Sequence, residues 1–328
     1  MVSRHFLRIK TMQALYAYNA NPKAEPRTYE ADLIKAIKGT YELFLWLFAL
    51  LPEIAFYRMK KLESLKEKYN PTHEDLNPNT RFVDNRVIRQ IEENKILKQL
   101  WPKYHILWED EKDLIAKLFH EIELLPEYEA YMASTQNNYF EDKKIVLAII
   151  EKVFANNDLL HWYLGEKNTH WIDDYEEAML MFYQNVKEFK ETKGDECRID
   201  SLFKGEEDEK FCRELFRKTL DHASEYTQMI EGKLQNWERE RVIQMDLLLM
   251  QMALCELLEF PHIPIKVTLN EYIEIAKWYS SDKSKVFING ILDRLIVDLH
   301  DSGQLVKTGR GLYQGRENET TENEENKK

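Results

Sequence analysis

Three short stretches carry residues able to do chemistry. Arg4 and Arg8 stand four apart near the start of the chain, with Lys10 two positions further on. On a helix, residues four apart share one stripe, and arginine's planar fork donates to phosphate oxygens in pairs. The second stretch, "SDKSKVFING", sets Lys283 and Lys285 just ahead of Phe287 and Asn289. Lysines there could contact phosphates, and the aromatic ring could stack on an unpaired base. The third, "LVKTGRGLYQGR" at 305–316, holds Lys307, Arg310 and Arg316. It either extends a basic surface or is a solubilising end. Plain alternatives stand beside the first two as well: a solvated basic face, and for Phe287 a core position, because Ile291 and Leu295 lie on its face.

Enzyme chemistry is poorly represented. The nine histidines are scattered, and the chain has no HExxH, GxSxG, P-loop or GxGxxG motif. Glu259 and His262 have a di-iron-like spacing, but Pro261 interrupts the helix that spacing needs. The acids of "WIDDYEE", 171–177, read as a solvated helix start favoured by the helix dipole. No catalytic residue, cofactor or metal ligand is therefore expected. Cys197, Cys212 and Cys255 lack CxxC spacing and suit reduced thiols in a cytosol.

The elements that must position these residues are helical. Only 10 Gly and 9 Pro occur in 328 residues, so turns are few. Asn289-Gly290 is a hairpin signal by type, yet Phe287, Ile291 and Leu295 recur every four residues, which is a helical face. Gly290 then reads as a close packing contact, since a helical glycine costs about 1 kcal/mol relative to alanine. Ser284 or Ser281 is the expected N-cap, and Thr268 with Glu271 the expected capping box of the preceding helix. Residues 3–20 form one amphipathic helix; a longer one, from about 29 to 69, is kinked or broken at Pro52. Helical patterns return near 83–100, 109–122, 141–155 and 172–192, then at 208–235, 238–259, 267–279 and 283–300. Val242, Met245, Leu249, Met252 and Leu257 lie on or near one face. "PHIPIKVT", 261–268, is the one short extended candidate. "LFLWLFALL", 43–51, is too short to cross a bilayer and reads as a buried core helix. The net charge of −12 argues against uniform nucleic-acid coating but allows a local basic site. A polar stretch at 194–209 is the best subdomain boundary, and 315–328 reads as a disordered charged tail.

Taken together, "QALYAYN" in a basic first helix, "CRELFRKTL", and the ordered run from Trp237 to Asp293 through "ALCELL", "IPIKVTLNEYIEIAKWYS" and "FINGILD" resemble the NusB transcription antitermination family. The resemblance covers the first helix and the last third of the chain. It implies an all-α fold of two packed helical subdomains, with 1–29 as the first helix, 30–200 as an added helical insertion, 201–302 as the C-terminal helical domain and 303–328 as a tail. It also implies a cytoplasmic, non-enzymatic adaptor. Its partners would be boxA-type single-stranded RNA, the small-subunit ribosomal protein that serves as NusE, and the RNA polymerase antitermination assembly, with no membrane. Arg4, Arg8, Lys10, Lys283, Lys285, Phe287 and Asn289 would face RNA, and Tyr16 and Asp246 the protein partner. Leu247 and Gln251 stand where arginines are frequent in the family, and the N-terminal arginines are sparser. Two rival readings are a protein-only scaffold on the same fold and the accessory domain of an RNA methyltransferase. The second lacks a glycine-rich cofactor turn.

Overall fold

The basic first segment folds as helix α1 (Arg4–Ala20), capped by the Ser3 hydroxyl, which accepts from the Phe6 N–H at 3.1 Å. The computed structural model describes residues 1–108, 110–234 and 243–312. The charged tail at 315–328, Arg316, Trp237 and Val242 lie outside the described residues. Among the described residues every regular element is a helix, so the all-α expectation holds.

After α1 comes α2 (Pro26–Lys66), a single 41-residue helix that runs through Pro52 without ending there. It is followed by α3 (His73–Leu76), α4 (Arg86–Glu93), α5 (Lys95–Lys103), α6 (Lys112–Glu123), α7 (Pro126–Ala133), α8 (Tyr139–Lys152), α9 (Asp158–Lys167) and α10 (Trp171–Lys187). The C-terminal set is α11 (Glu206–Asp221), α12 (Ala223–Gly232), α13 (Gln244–Glu259), α14 (Ile265–Tyr279) and α15 (Ser284–Asp301). Helices α7 and α9 have no separate periodic signature in the sequence, and the pattern at 208–235 is two helices divided at His222. "PHIPIKVT" is no strand: from Ile265 it is the opening turn of α14.

The chain forms two compact units. One comprises residues 1–2 and 35–204; the other comprises 3–34 and the chain from Gly205 on. In the first, every residue of the apolar run Leu43–Leu51 is buried, so that part of α2 is apolar all round because it is enclosed all round. By length and composition α2 could also cross a bilayer, but two thirds of its most apolar stretch is buried inside the protein. The core is aromatic: Phe48 meets Phe182 edge-on at 4.6 Å and Trp46 meets Trp108 at 5.0 Å. Several buried polar groups of this core are hydrogen-bonded. Asp142 accepts from the Tyr131 hydroxyl at 2.8 Å, and the Asn85 and Asn94 side chains cap α4 and α5. The "WIDDYEE" cluster differs from its solvated reading at Asp174, which is fully buried and accepts from Thr40 Oγ1 at 2.7 Å. Among the described residues no three His, Cys, Asp or Glu side chains gather as a metal site.

In the second unit α13 is the central helix, and every residue from Leu248 to Leu257 is buried. Glu30, near the start of α2, is a buried carboxylate held by Arg213 (2.8 Å) and Arg217 (2.6 Å) of α11. Those two guanidinium groups keep its pKa low although burial opposes the charge. After α15 the chain turns at Gly303, at φ +71°. It then lies along the α13–α14 link, where the Thr308 N–H donates to Pro261 O at 3.0 Å. Lys307 donates to the carbonyls of Glu256 and Phe260 at the end of α13, at 3.5 and 3.3 Å. Burial brings its pKa down to about 8. The third basic stretch is thus partly a helix cap; Arg310 alone remains exposed among its described cations.

Gly311 is the tightest point of that return segment. A Cβ there would lie 2.0 Å from the Pro261 carbonyl oxygen, a backbone atom that cannot swing aside. Gly311→Ala is expected to destabilise the chain by about 1–3 kcal/mol, the usual penalty for overpacking, read as a lower urea midpoint with an unchanged slope.

Candidate nucleic-acid interface

The second unit contains the candidate residues, and the structure divides them sharply. Arg8 is buried. Its Nε and Nη2 donate to Glu256 Oε2 and Oε1 at 2.7 and 2.8 Å, and Nη1 donates to the Arg4 carbonyl at 3.1 Å. Burial works against the guanidinium charge, but the hydrogen bonds and charge of Glu256 outweigh it and raise the pKa above its ordinary value. Glu256 also accepts from Thr268 Oγ1 at 2.8 Å and from the Tyr272 hydroxyl at 3.3 Å. The stripe neighbour of Arg4 is therefore internal, which corrects its reading as a phosphate contact. Lys10 is corrected for the same reason: it is buried, with its ammonium 5.3 Å from the Phe6 ring centre.

The capping box at Thr268 and Glu271 does not form either. Pro264 precedes the first turn of α14, Thr268 lies a turn inside and points at Glu256, and Glu271 binds His5 at 2.8 Å and Arg8 at 3.4 Å. Arg4 turns to α11. Its Nε donates to Asp208 at 3.1 Å and its guanidinium lies 5.2 Å from the Phe211 ring centre. It lines an open pocket with Lys210, Phe211, Phe260 and His262, whose charge Glu207 and Glu214 offset.

The α14–α15 corner is different. Lys283 and Lys285 are both exposed, and among the described residues neither makes an ion pair. Phe287 and Asn289 are half-buried on the first turns of α15, with Asn289 Nδ2 donating to Asp293 at 2.9 Å. Ile288, Ile291, Leu292 and Leu295 take the inward face, as the four-residue spacing requires. Neither serine caps α15 in the expected way. Ser284 is its first residue, and its hydroxyl accepts from the Ser281 N–H at 3.2 Å and donates to Asp246 at 2.9 Å. Ser280 donates to the other Asp246 oxygen. Asp246 is buried and serves as the internal latch of this corner, a correction to its reading as a partner-facing acid. Tyr16 is 42% exposed on α1.

Gly290 is also not the packing contact its sequence context suggests. It is exposed, and among the described residues nothing beyond its own helix backbone and chain neighbours lies within 4 Å of where its Cβ would be. The corner thus presents two lysines, the edge of an aromatic ring, an amide and a bare stretch of backbone. That set can attract phosphate and lie close against a flat ligand; it has no nucleophile–base pair.

The comparisons with known proteins point to one family. The NusB family model matches residues 174–297. "Transcription antitermination protein NusB" of Salinibacter ruber is 42% identical over 146 residues, which are 43% of this chain and 89% of that protein. The protein of the same name from Chloroherpeton thalassium is 39% identical over 102 residues, 31% of this chain and 48% of its own length. That of Geobacter sulfurreducens is 42% identical over 93 residues, 28% of this chain and 67% of its own length. No solved structure matches.

Two substitutions separate framework from surface. Arg8→Ala should cost about 3–5 kcal/mol in a denaturant melt, because it strands the buried Glu256 carboxylate. Gly290→Ala should instead stabilise the chain by about 0.5–1 kcal/mol, having open space and better helix propensity. A destabilised Gly290→Ala would restore the packing role.

Proposed function

The chain belongs to the NusB family, and on that premise we propose that it is an RNA-binding transcription antitermination factor. Its ligand is boxA-type single-stranded RNA, bound together with the small-subunit ribosomal protein that serves as NusE. The pair joins the antitermination assembly on RNA polymerase during ribosomal RNA synthesis, in the cytoplasm. No covalent chemistry is involved. The observation that carries the RNA reading is the α14–α15 corner, where Lys283 and Lys285 are exposed and without ion pairs among the described residues, beside Phe287 and Asn289. The lysines supply salt-dependent attraction, the ring edge and amide meet unstacked bases, and Gly290 lets the strand approach the backbone. Arg4 contributes at a second point, tempered by Asp208. Tyr16 belongs to the protein-partner face. The 30–200 region is a helical insertion into this frame.

One observation favours a second reading, a scaffold that binds protein alone. Two of the three cations proposed on the first helix, Arg8 and Lys10, are buried. A titration of labelled boxA-like RNA, with and without the ribosomal protein, at two salt concentrations separates the two. Tight, salt-sensitive binding that improves with the protein supports the RNA adaptor. Protein binding with no RNA uptake supports the scaffold. Within the RNA reading, Lys283→Glu with Lys285→Glu should weaken binding and flatten the plot of log affinity against log salt by ~0.7 for each phosphate no longer neutralised, while the melting curve stays unchanged.

A further inference from the structure

The α14–α15 corner holds one residue that the fold does not use. Trp278, on the last turn of α14, is 82% exposed. The inward face of α14 is Thr268, Tyr272, Ile275 and Ala276, and Trp278 falls off it. Leaving so large an apolar surface in water forgoes the free energy that burying it would contribute. Its position is nonetheless well defined. Only residues 280–283 separate the two helices, and the Ser280 and Ser284 hydroxyls lie 3.0 Å apart on the Asp246 latch. Trp278 therefore lies on the last turn of the helix before that link, and Lys283 and Lys285 at the start of the helix after it.

We propose that Trp278 is a base-stacking platform for single-stranded RNA. The proposal rests on the RNA reading above and adds to it a residue and a contact type. The surroundings favour a nucleic acid over a protein anchor. A tryptophan that anchors a protein partner sits centrally in an apolar patch ringed by contacts that exclude water. Along the chain, the exposed residues nearest to this one are mostly charged: Lys277 paired with Glu274, then Asp282, Lys283 and Lys285, with Val286 apolar among them. An exposed ring with lysines close by in the chain is the pattern that tracks single strands: the indole takes a base face, and the free ammonium groups take phosphates.

The test uses the full chain and a labelled boxA-like single-stranded RNA, followed by fluorescence anisotropy, with the ribosomal protein titrated in parallel. Trp278→Ala should weaken RNA binding about 5- to 150-fold, the range spanned by removing the stacking of one base. The salt slope should not change, because stacking releases no counterions. Trp278→Phe should retain most of the affinity, because a smaller ring still stacks. Equal RNA affinity of Trp278→Ala and the parent chain overturns the stacking role and leaves the RNA reading intact. RNA affinity unchanged with ribosomal-protein binding abolished overturns it in favour of a protein anchor. A parent chain that binds no RNA at either salt concentration overturns the RNA reading itself, and this proposal with it.

Discussion

The second unit depends on one buried ion pair. Arg8, from the first helix, and Glu256, from α13, meet in a bidentate bond with almost no solvent on either side. A buried carboxylate is tolerated only when its lone pairs are filled. Glu256 meets that condition through Arg8, Thr268 and Tyr272, and so ties α1, α13 and α14 together through a single group. The residues that join here are 248 positions apart in sequence. No local propensity brings them together; the geometry of the fork and the cost of leaving either charge alone do so.

That bond changes what a basic first helix means. Arg8 and Lys10 are internal, and Arg4 is shared with Asp208. Of the cations proposed to face RNA, the two that stay exposed and without an ion pair among the described residues, Lys283 and Lys285, are at the α14–α15 corner. Asp246 fixes that corner from within by holding two serine hydroxyls. It acts on the surface without being on it. An overall charge of −12 is compatible with such a site, because a local group of exposed lysines acts within about a Debye length.

The first unit has its own logic. Its core is dominated by large rings, with α2 enclosed along Leu43–Leu51 and Trp101 and Trp108 donating to carbonyls of that helix at 3.3 and 3.2 Å. Trp171 is buried, donating to the Gly39 carbonyl at 2.9 Å, whereas Trp162 is 61% exposed. The aromatic richness of this part is thus chiefly a packing device, and it gives the unit a hydrophobic core of its own.

By itself the sequence determined the helical class, the family frame and the inward face of α15. Those follow from local quantities: glycine and proline scarcity, four-residue periodicity, and ordered motifs such as "FINGILD". It also made the run 43–51 legible as core, because nine consecutive apolar residues are too few to span a bilayer. It could not separate Arg8 from Lys283, since a cation reads the same whether its partner is water, phosphate or a carboxylate 248 residues away. Nor could it show that Thr268 points to Glu256 rather than capping its helix, that Gly290 faces open space, or that Gly311 is pressed against Pro261. Trp278 leaves only a faint signal in "EIAKWYS", its helical phase off the apolar face. In each of these cases the tertiary structure decided, because burial and pairing belong to the approach of distant segments and have no counterpart in the spacing of neighbours.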